Sequence, residues 1–264
     1  MSTWFSMAGR RALITGASLS IGRSLALGFA DHGAAIAIHY SAAADNAFGQ
    51  PDAAKDTLVA VKARGVAACL VESDLAREGA GRETVDKAIA SLGGIDILVL
   101  CASIQSRTPF LEIKPDEIDR QLQINFRASV ELLQAALPPM KERGWGRVLT
   151  IGSVNQVRPD PDLAIYAALK SAQHNLALNL ARQYVPFNVM INNLSPGIVE
   201  TERNRWRRQD AEEWRRIQKT AAGAIGRAAQ PDEMVGAAVL LCSEAASYIA
   251  GVDLMVSGGS HLGR

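Results

Sequence analysis

Short apolar runs recur along this chain of 264 residues, at 11–15, 35–39, 66–71, 95–102, 147–152, 189–193 and 253–256. In several of them the apolar residues are consecutive rather than alternating, which suits strands covered on both faces, as in a parallel sheet. Helical patterns fall between them, near 21–31, 52–64, 78–92, 115–143, 163–184 and 231–243. Strand–helix alternation over the whole length predicts one α/β domain spanning 1–264, a doubly wound parallel sheet with helices on both faces. No low-complexity linker or break in composition marks a second domain. The stretch 41–51, rich in Ala, Asn and Gly, reads as an extended loop after the second strand.

Composition narrows the function. With 48% hydrophobic residues, 21% charged residues and a net charge of +1, the chain is neither disordered nor a global polyanion binder. Nucleic-acid and membrane partners are therefore not expected. Cys69, Cys101 and Cys242 form no CxxC pair, so neither a disulfide framework nor a thiolate metal site is expected, and a reducing cytoplasm is the default. The histidines, His32, His39, His174 and His261, lack metal-ligand spacing. No signal peptide is read at the N-terminus, and no apolar run reaches the ~18 residues of a membrane span.

Two motifs carry chemistry. The first strand runs into Thr15-Gly16-Ala17-Ser18-Leu19-Ser20-Ile21-Gly22 and then a helix. Small residues at such a turn let backbone N–H groups approach a pyrophosphate, and the helix adds its positive dipole end. The second motif is Tyr166-x-x-x-Lys170 inside a helical pattern. Residues i and i+4 share a helical face, and an ammonium there favours the phenolate, which makes Tyr166 a candidate proton donor or acceptor. Ser153 lies just past the strand at 147–152, and strand ends are where open α/β sheets hold ligands. It is either a hydrogen-bond donor to a substrate oxygen or a turn residue. Asn125, within the long helical pattern before that strand, either positions a water near Lys170 or marks a helix bend.

These motifs, in order with Asp74, Pro196-Gly197, Thr201 and the closing Tyr248-Ile249-Ala250-Gly251 and Gly258-Gly259, resemble the short-chain dehydrogenase/reductase family over essentially the whole chain. The resemblance implies a Rossmann-type, nicotinamide-dependent oxidoreductase acting on CH–OH groups. Tyr166 would be the acid/base, Lys170 would support it and hold the nicotinamide ribose, Ser153 would orient the substrate, and Asn125 would complete a water-linked proton relay. Asp74 and Leu75 would border the adenine. Cys101, Ala102 and Ser103 would line the cofactor, with Pro196, Gly197, Val199 and Thr201 near the carboxamide. The family is commonly tetrameric. Three departures stand out: Ser20 replaces a glycine, Leu100-Cys101-Ala102-Ser103 replaces Asn-Asn-Ala-Gly, and Ser257 replaces an aspartate. They leave open a nucleotide-binding regulatory protein with little catalysis. A sugar-nucleotide epimerase of the extended relatives is disfavoured by the short region after Pro196.

At the end of the second strand, His39-Tyr40-Ser41 offer no carboxylate, the first acid being Asp45. This favours NADP over NAD, with His39 and Ser41 as candidate phosphate partners, although Leu19 stands where a basic residue is common. The segment 203–219 carries seven basic and three acidic residues, a local +4, in the region where the family covers its substrate, a lid around 198–222. Trp206 or Trp214 closes over the substrate, or else both belong to an amphipathic helix with a solvated basic face. Arg207 and Arg208 are candidates to meet an anionic group. Gln105, Asn155 and Gln156 suit a polar keto or hydroxy compound such as a sugar or polyol, while a 3-oxoacyl thioester is the other ordinary substrate class.

Overall fold

The computed structural model describes residues 3–262. The elements run β1 (Arg11–Ile14), α1 (Ser20–Asp31), β2 (Ala35–Tyr40), α2 (Ala42–Ala47), α3 (Ala53–Lys62), β3 (Ala68–Glu72), α4 (Ala80–Leu92) and β4 (Ile97–Leu100). The second half runs α5 (Pro115–Leu122), α6 (Ala128–Arg143), β5 (Gly146–Ile151), α7 (Ala164–Tyr184), β6 (Val189–Pro196), α8 (Ala211–Ala221), α9 (Val235–Cys242) and β7 (Asp253–Val256). All seven strands are parallel in the order β3-β2-β1-β4-β5-β6-β7. The chain leaves β1 toward one edge and returns at β4 toward the other, so the crevice beyond the C-terminal ends of β1 and β4 is the topological switch point.

Strand alternation divides the core into two layers. Ala12, Ile14, Ile36, Ile38, Ile97 and Val99 face one side, with Leu25 and Phe29 of α1 and Val239 and Leu241 of α9. Leu13, Ala37, Leu98, Leu100 and Val148 face the other, with Val85 of α4, Leu132 and Leu133 of α6, and Ala177 and Ala181 of α7. Both faces are therefore buried, which is why the strands read as consecutive apolar runs. α1 and α9 approach closely at Gly28, where an added Cβ would lie 2.2 Å from Cγ1 of Val235.

The boundaries differ from the pattern in three informative places. The single helical pattern at 115–143 is two helices joined by a π-helical turn, Gln123–Arg127, with Asn125 at its centre. The expected loop at 41–51 contains α2, whose first turn is capped by the Ser41 hydroxyl accepting from Ala44 N at 3.4 Å. The basic segment divides into a 3₁₀ stretch, Glu202–Arg208, and α8. A parallel bridge between Val199 and Ala229 pinches the base of this excursion, with Ala229 N–H on Ile198 O and Glu200 N–H on Ala229 O, both at 2.9 Å.

The β1–β4 seam is held at its N-terminal end by Asp96, which accepts from Arg11 Nε at 2.8 Å, Nη2 at 2.9 Å and the backbone N–H at 3.0 Å. Burial would raise the Asp96 carboxyl, but the Arg11 bonds outweigh it and leave the group below the usual carboxylate range. A depressed folded value means stability that is present at neutral pH and lost as pH falls through that value. Asp96→Asn is therefore expected to lower unfolding free energy by about 3 kcal/mol at neutral pH. Chemical denaturation across a pH series should also show the variant losing less further stability than the wild type below about pH 4.

Candidate active site

The buried face of α7 is a stripe of Tyr166, Lys170, Gln173, Ala177 and Ala181. Its apolar end packs into the core, and its polar end lies under the C-terminal end of β5. Asp160 starts the approach to this helix by accepting from Asp162 N at 3.1 Å, followed by Pro161. Lys170 is 2% exposed and Tyr166 is 7% exposed. An ammonium so placed needs acceptors. Lys170 Nζ donates to Ile151 O at 2.7 Å and to Gln173 Oε1 at 3.3 Å, and lies 5.8 Å from the Tyr166 ring centroid. Burial lowers its pKa, Tyr166 opposes that, and Arg203 lowers it further. Of its three donors, one remains without a protein partner among the described residues.

Gln173 extends the network. Its Nε2 donates to Ser129 Oγ at 2.8 Å and to Asn125 O at 3.5 Å. That carbonyl, in the π turn, also accepts from Ser129 Oγ at 3.2 Å. The Asn125 side chain is itself engaged, accepting from Ile104 N and donating to Ile104 O, both at 2.8 Å. Asn125 thus marks the bend and is joined to Lys170 through Gln173. Ser153 stands two residues past β5, its hydroxyl accepting from Asn155 N at 3.2 Å. That hydroxyl keeps its own proton to donate.

The glycine turn sits at the switch point. Thr15 Oγ1 donates to Val99 O at 3.2 Å and accepts from Cys101 N at 2.9 Å and Ala102 N at 3.0 Å. A Cβ on Gly16 would stand 3.0 Å from Ala102 Cα, and one on Gly22 would stand 2.0 Å from Gly16 O, so both positions demand glycine. Leu19 makes no side-chain cap to α1, leaving the first N–H groups of that helix to other partners. Ser20 adopts φ +51°, the left-handed conformation of the glycine it replaces. Cys101 borders the crevice with its thiol pushed up to about 11, chiefly by burial. Gly197 meets Ser257, a Cβ there lying 2.9 Å from Ser257 Cα, and Ser257 Oγ pairs with His261 Nδ1 at 2.6 Å, a local partner for the residue that replaces aspartate. Asp74 is exposed beyond β3 and holds its turn by accepting from Ala76 N at 2.9 Å, while Leu75 is buried beside it. A glycine-walled turn, uncapped helical N–H groups and a lysine with a spare donor fit a nicotinamide dinucleotide.

Several of the candidate side chains are already engaged within the protein. His39 is buried, its Nδ1 accepts from Gly16 N at 3.1 Å, and burial lowers its pKa to about 4. It is a neutral strut for the glycine turn, not a cation for a phosphate. Gln156 is committed, with Oε1 accepting from Ser153 N at 3.0 Å and Nε2 donating to Asp253 at 3.2 Å, so it does not reach a substrate. Trp214 packs with Ile217 and Ala228 in a small core of its own, whereas Trp206 is 63% exposed. Arg208 is paired with Glu200 at 3.3 Å and donates to Thr201 O at 3.0 Å. Tyr40 donates to Glu72 at 3.1 Å. The sequence pattern does not single out Gln173, although its place three residues after Lys170 on one stripe was a readable signal.

A family model described as enoyl-(acyl carrier protein) reductase matches residues 16–261. The chain is 35% identical over 257 residues to gluconate 5-dehydrogenase of Gluconobacter oxydans, covering 97% of this chain and 96% of the relative. The chain belongs to the short-chain dehydrogenase/reductase family. Among solved members, a 3-oxoacyl (acyl-carrier-protein) reductase of Agrobacterium tumefaciens with NADP bound superposes with a TM-score of 0.91 at 40% identity, over 97% of this chain and 96% of that one. A gluconate 5-dehydrogenase of Burkholderia cenocepacia in complex with NADP and tartrate gives 0.88 at 34% identity, over 99% of both chains. As a member of the family, the protein is an NAD(P)-dependent oxidoreductase acting on CH–OH groups. Among the described residues, no helix is long and apolar enough to cross a membrane, and no cluster of three or more His, Cys, Asp or Glu could hold a metal ion.

The Gln173 network is testable. Gln173→Leu removes an acceptor from a buried ammonium and a donor from the Asn125 carbonyl. Steady-state kinetics are expected to show kcat reduced about tenfold, with the cofactor dissociation constant changed by less than about threefold.

Proposed function

We propose that Tyr166 is the acid/base of a reversible hydride transfer between a secondary alcohol and its carbonyl, with Ser153 and Lys170 as its partners. The observation that carries this is the burial of Tyr166, Lys170 and Gln173 on one stripe beside Ser153 at the end of β5. In the oxidative direction the Tyr166 phenolate takes the substrate hydroxyl proton as the carbinol hydrogen leaves as hydride. In reduction the phenol returns a proton to the developing alkoxide. The bound nicotinamide supplies or accepts the hydride. The Lys170 ammonium favours negative charge on the phenolic oxygen and offers its remaining donor to the nicotinamide ribose. The Ser153 hydroxyl donates to the substrate oxygen, and Gln173 relates Lys170 to Asn125 as the start of a proton path. Asp74 borders the adenine and Thr201 the carboxamide. Tyr166→Phe is expected to cut turnover at least about a thousandfold in a stopped-flow or absorbance assay while cofactor binding survives. Retained turnover would refute the assignment.

NADP is the preferred cofactor in this reading. No carboxylate follows β2 directly. Asp45 is turned inward, 3% exposed, accepting from Ser18 Oγ at 2.8 Å. Its charge is thereby kept from repelling a 2′-phosphate, and two solved relatives carry NADP. The excursion after Val199 is the substrate lid. The substrate is a polar hydroxy or keto compound, a sugar, polyol or the corresponding acid, as gluconate is for one relative. A 3-oxoacyl thioester is the second reading, favoured by the 40% identical reductase. The protein works in the cytoplasm as a homotetramer, with exposed Phe110, Leu111, Ile118 and Leu178 around α5 and α7 as apolar surface for self-association. A panel of keto-sugars, aldonates and 3-oxoacyl esters assayed with both cofactors tests this. Higher kcat/KM with NADPH than NADH is expected, and the reverse order would overturn the cofactor assignment.

A further inference from the structure

The seven basic residues of the lid segment are not equivalent. Arg205 pairs with Glu202 at 3.4 Å, Arg208 with Glu200 at 3.3 Å and Arg216 with Glu213 at 2.8 Å. Arg203 forms no ion pair among the described residues. Its guanidinium instead donates to the backbone oxygen of Ser103 and, at 3.1 Å, to Ser103 Oγ. The residue before it is also held, with Glu202 N–H donating to Ser20 Oγ at 3.1 Å.

These two anchors stand on opposite sides of the switch-point crevice. Ser20 is the first residue of α1, after β1, and Ser103 lies in the loop after β4. Both occupy positions where the family pattern has glycine, and a glycine would offer neither hydroxyl. Ser20 keeps its hydroxyl there despite φ +51°, a conformation that strains a residue with a Cβ. The result is a two-residue strap across the crevice that presents a guanidinium beside Lys170, whose ammonium it disfavours. Neither cation has a carboxylate partner within ion-pairing distance among the described residues.

We propose that Arg203 is a dinucleotide-binding residue whose guanidinium, set over the crevice by Ser20 and Ser103, pairs with the pyrophosphate of the cofactor. The inference rests on the reading that this crevice holds a nicotinamide dinucleotide. A pyrophosphate carries two negative charges, and a guanidinium fork bonds phosphate oxygens through two parallel N–H groups. The position selects this anion over two others. A 2′-phosphate belongs beyond β2, around Tyr40 and Ser41, on the far side of the glycine turn. A distal substrate anion would meet Arg207 instead, a partly buried guanidinium near Arg107 and Asp160 that neither anchor holds. Through Arg203 the first turn of the lid is tied to cofactor binding.

The test is calorimetric binding of two cofactor fragments to the full-length protein. 2′-Phospho-ADP-ribose has the pyrophosphate but no nicotinamide, and 2′-AMP has the adenosine end but no pyrophosphate. Arg203→Gln is expected to weaken the first about tenfold and the second less than about twofold, with the difference shrinking in about 0.5 M NaCl. Should that variant not fold, as judged by thermal melting, Arg203→Lys carries the test, since it keeps the charge and loses the fork. It too should weaken the first fragment and spare the second. Unchanged affinity for the first fragment overturns the proposal. A raised KM for an acidic substrate with unchanged fragment affinity also overturns it and gives the guanidinium to the substrate. Wild-type protein that binds neither fragment would overturn the NADP assignment, an outcome distinct from a variant-specific null, and the same comparison of Arg203→Gln with wild type then runs on ADP-ribose against AMP, with the same outcomes expected.

Discussion

The seam between β1 and β4 is the constraint on which the rest of the site depends. The chain changes direction there, so nothing in its local sequence holds the two loops together. Thr15 does so with one hydroxyl, spending its proton on Val99 O and its lone pairs on Cys101 N and Ala102 N. At the other end of the same seam Asp96 and Arg11 lock the strand starts. Between these clamps the register is fixed, with Ala12 opposite Ile97 and Ile14 opposite Val99. Gly16 can then lie against Ala102 without a gap, and the crevice acquires walls that do not drift. His39 completes the arrangement from the β2 side, since its neutral ring accepts the Gly16 N–H that would otherwise be orphaned.

The Tyr166–Lys170 stripe obeys the same economy of partners. A fully buried ammonium is unfavourable unless its donors are satisfied. Ile151 O and Gln173 Oε1 provide two acceptors, and both come from elements that also carry the core, β5 and α7. Gln173 is in turn oriented by Ser129 and by the Asn125 carbonyl in the π turn. The widened turn in the middle of an otherwise regular helical stretch thus belongs to the hydrogen-bond network that reaches Lys170.

Much of this was legible in the sequence. Consecutive apolar runs gave the parallel sheet because both of its faces are covered, and the i to i+4 spacing gave Tyr166 and Lys170 because a helix face repeats at that interval. Resemblance then placed Ser153, Asn125 and the glycine turn. What escaped was pairwise. The π turn at 123–127 shows no sequence signature distinct from a helix, so 115–143 read as continuous. His39 at a strand end looks like any solvent-facing histidine until burial and Gly16 N are known. Arg203 and Arg208 are indistinguishable as letters, and only Glu200 and Ser103 separate a neutralised cation from one that is not. Ser20 and Ser103 look like losses of glycine, yet each supplies a bond that a glycine lacks.

The pinch at Val199 and Ala229 has a consequence for how this scaffold changes. The chain leaves β6 and returns toward α9 at two points one hydrogen-bonded step apart, so the excursion between them begins and ends at nearly the same place. Beyond the Glu202 and Arg203 anchors, its length, charge and aromatic content have room to vary, because loop closure is already satisfied at the neck. With Trp214, Ile217 and Ala228 giving it a small core of its own, the segment behaves as an exchangeable cassette. Grafting another cassette at the same neck would exchange this segment while the sheet stays put.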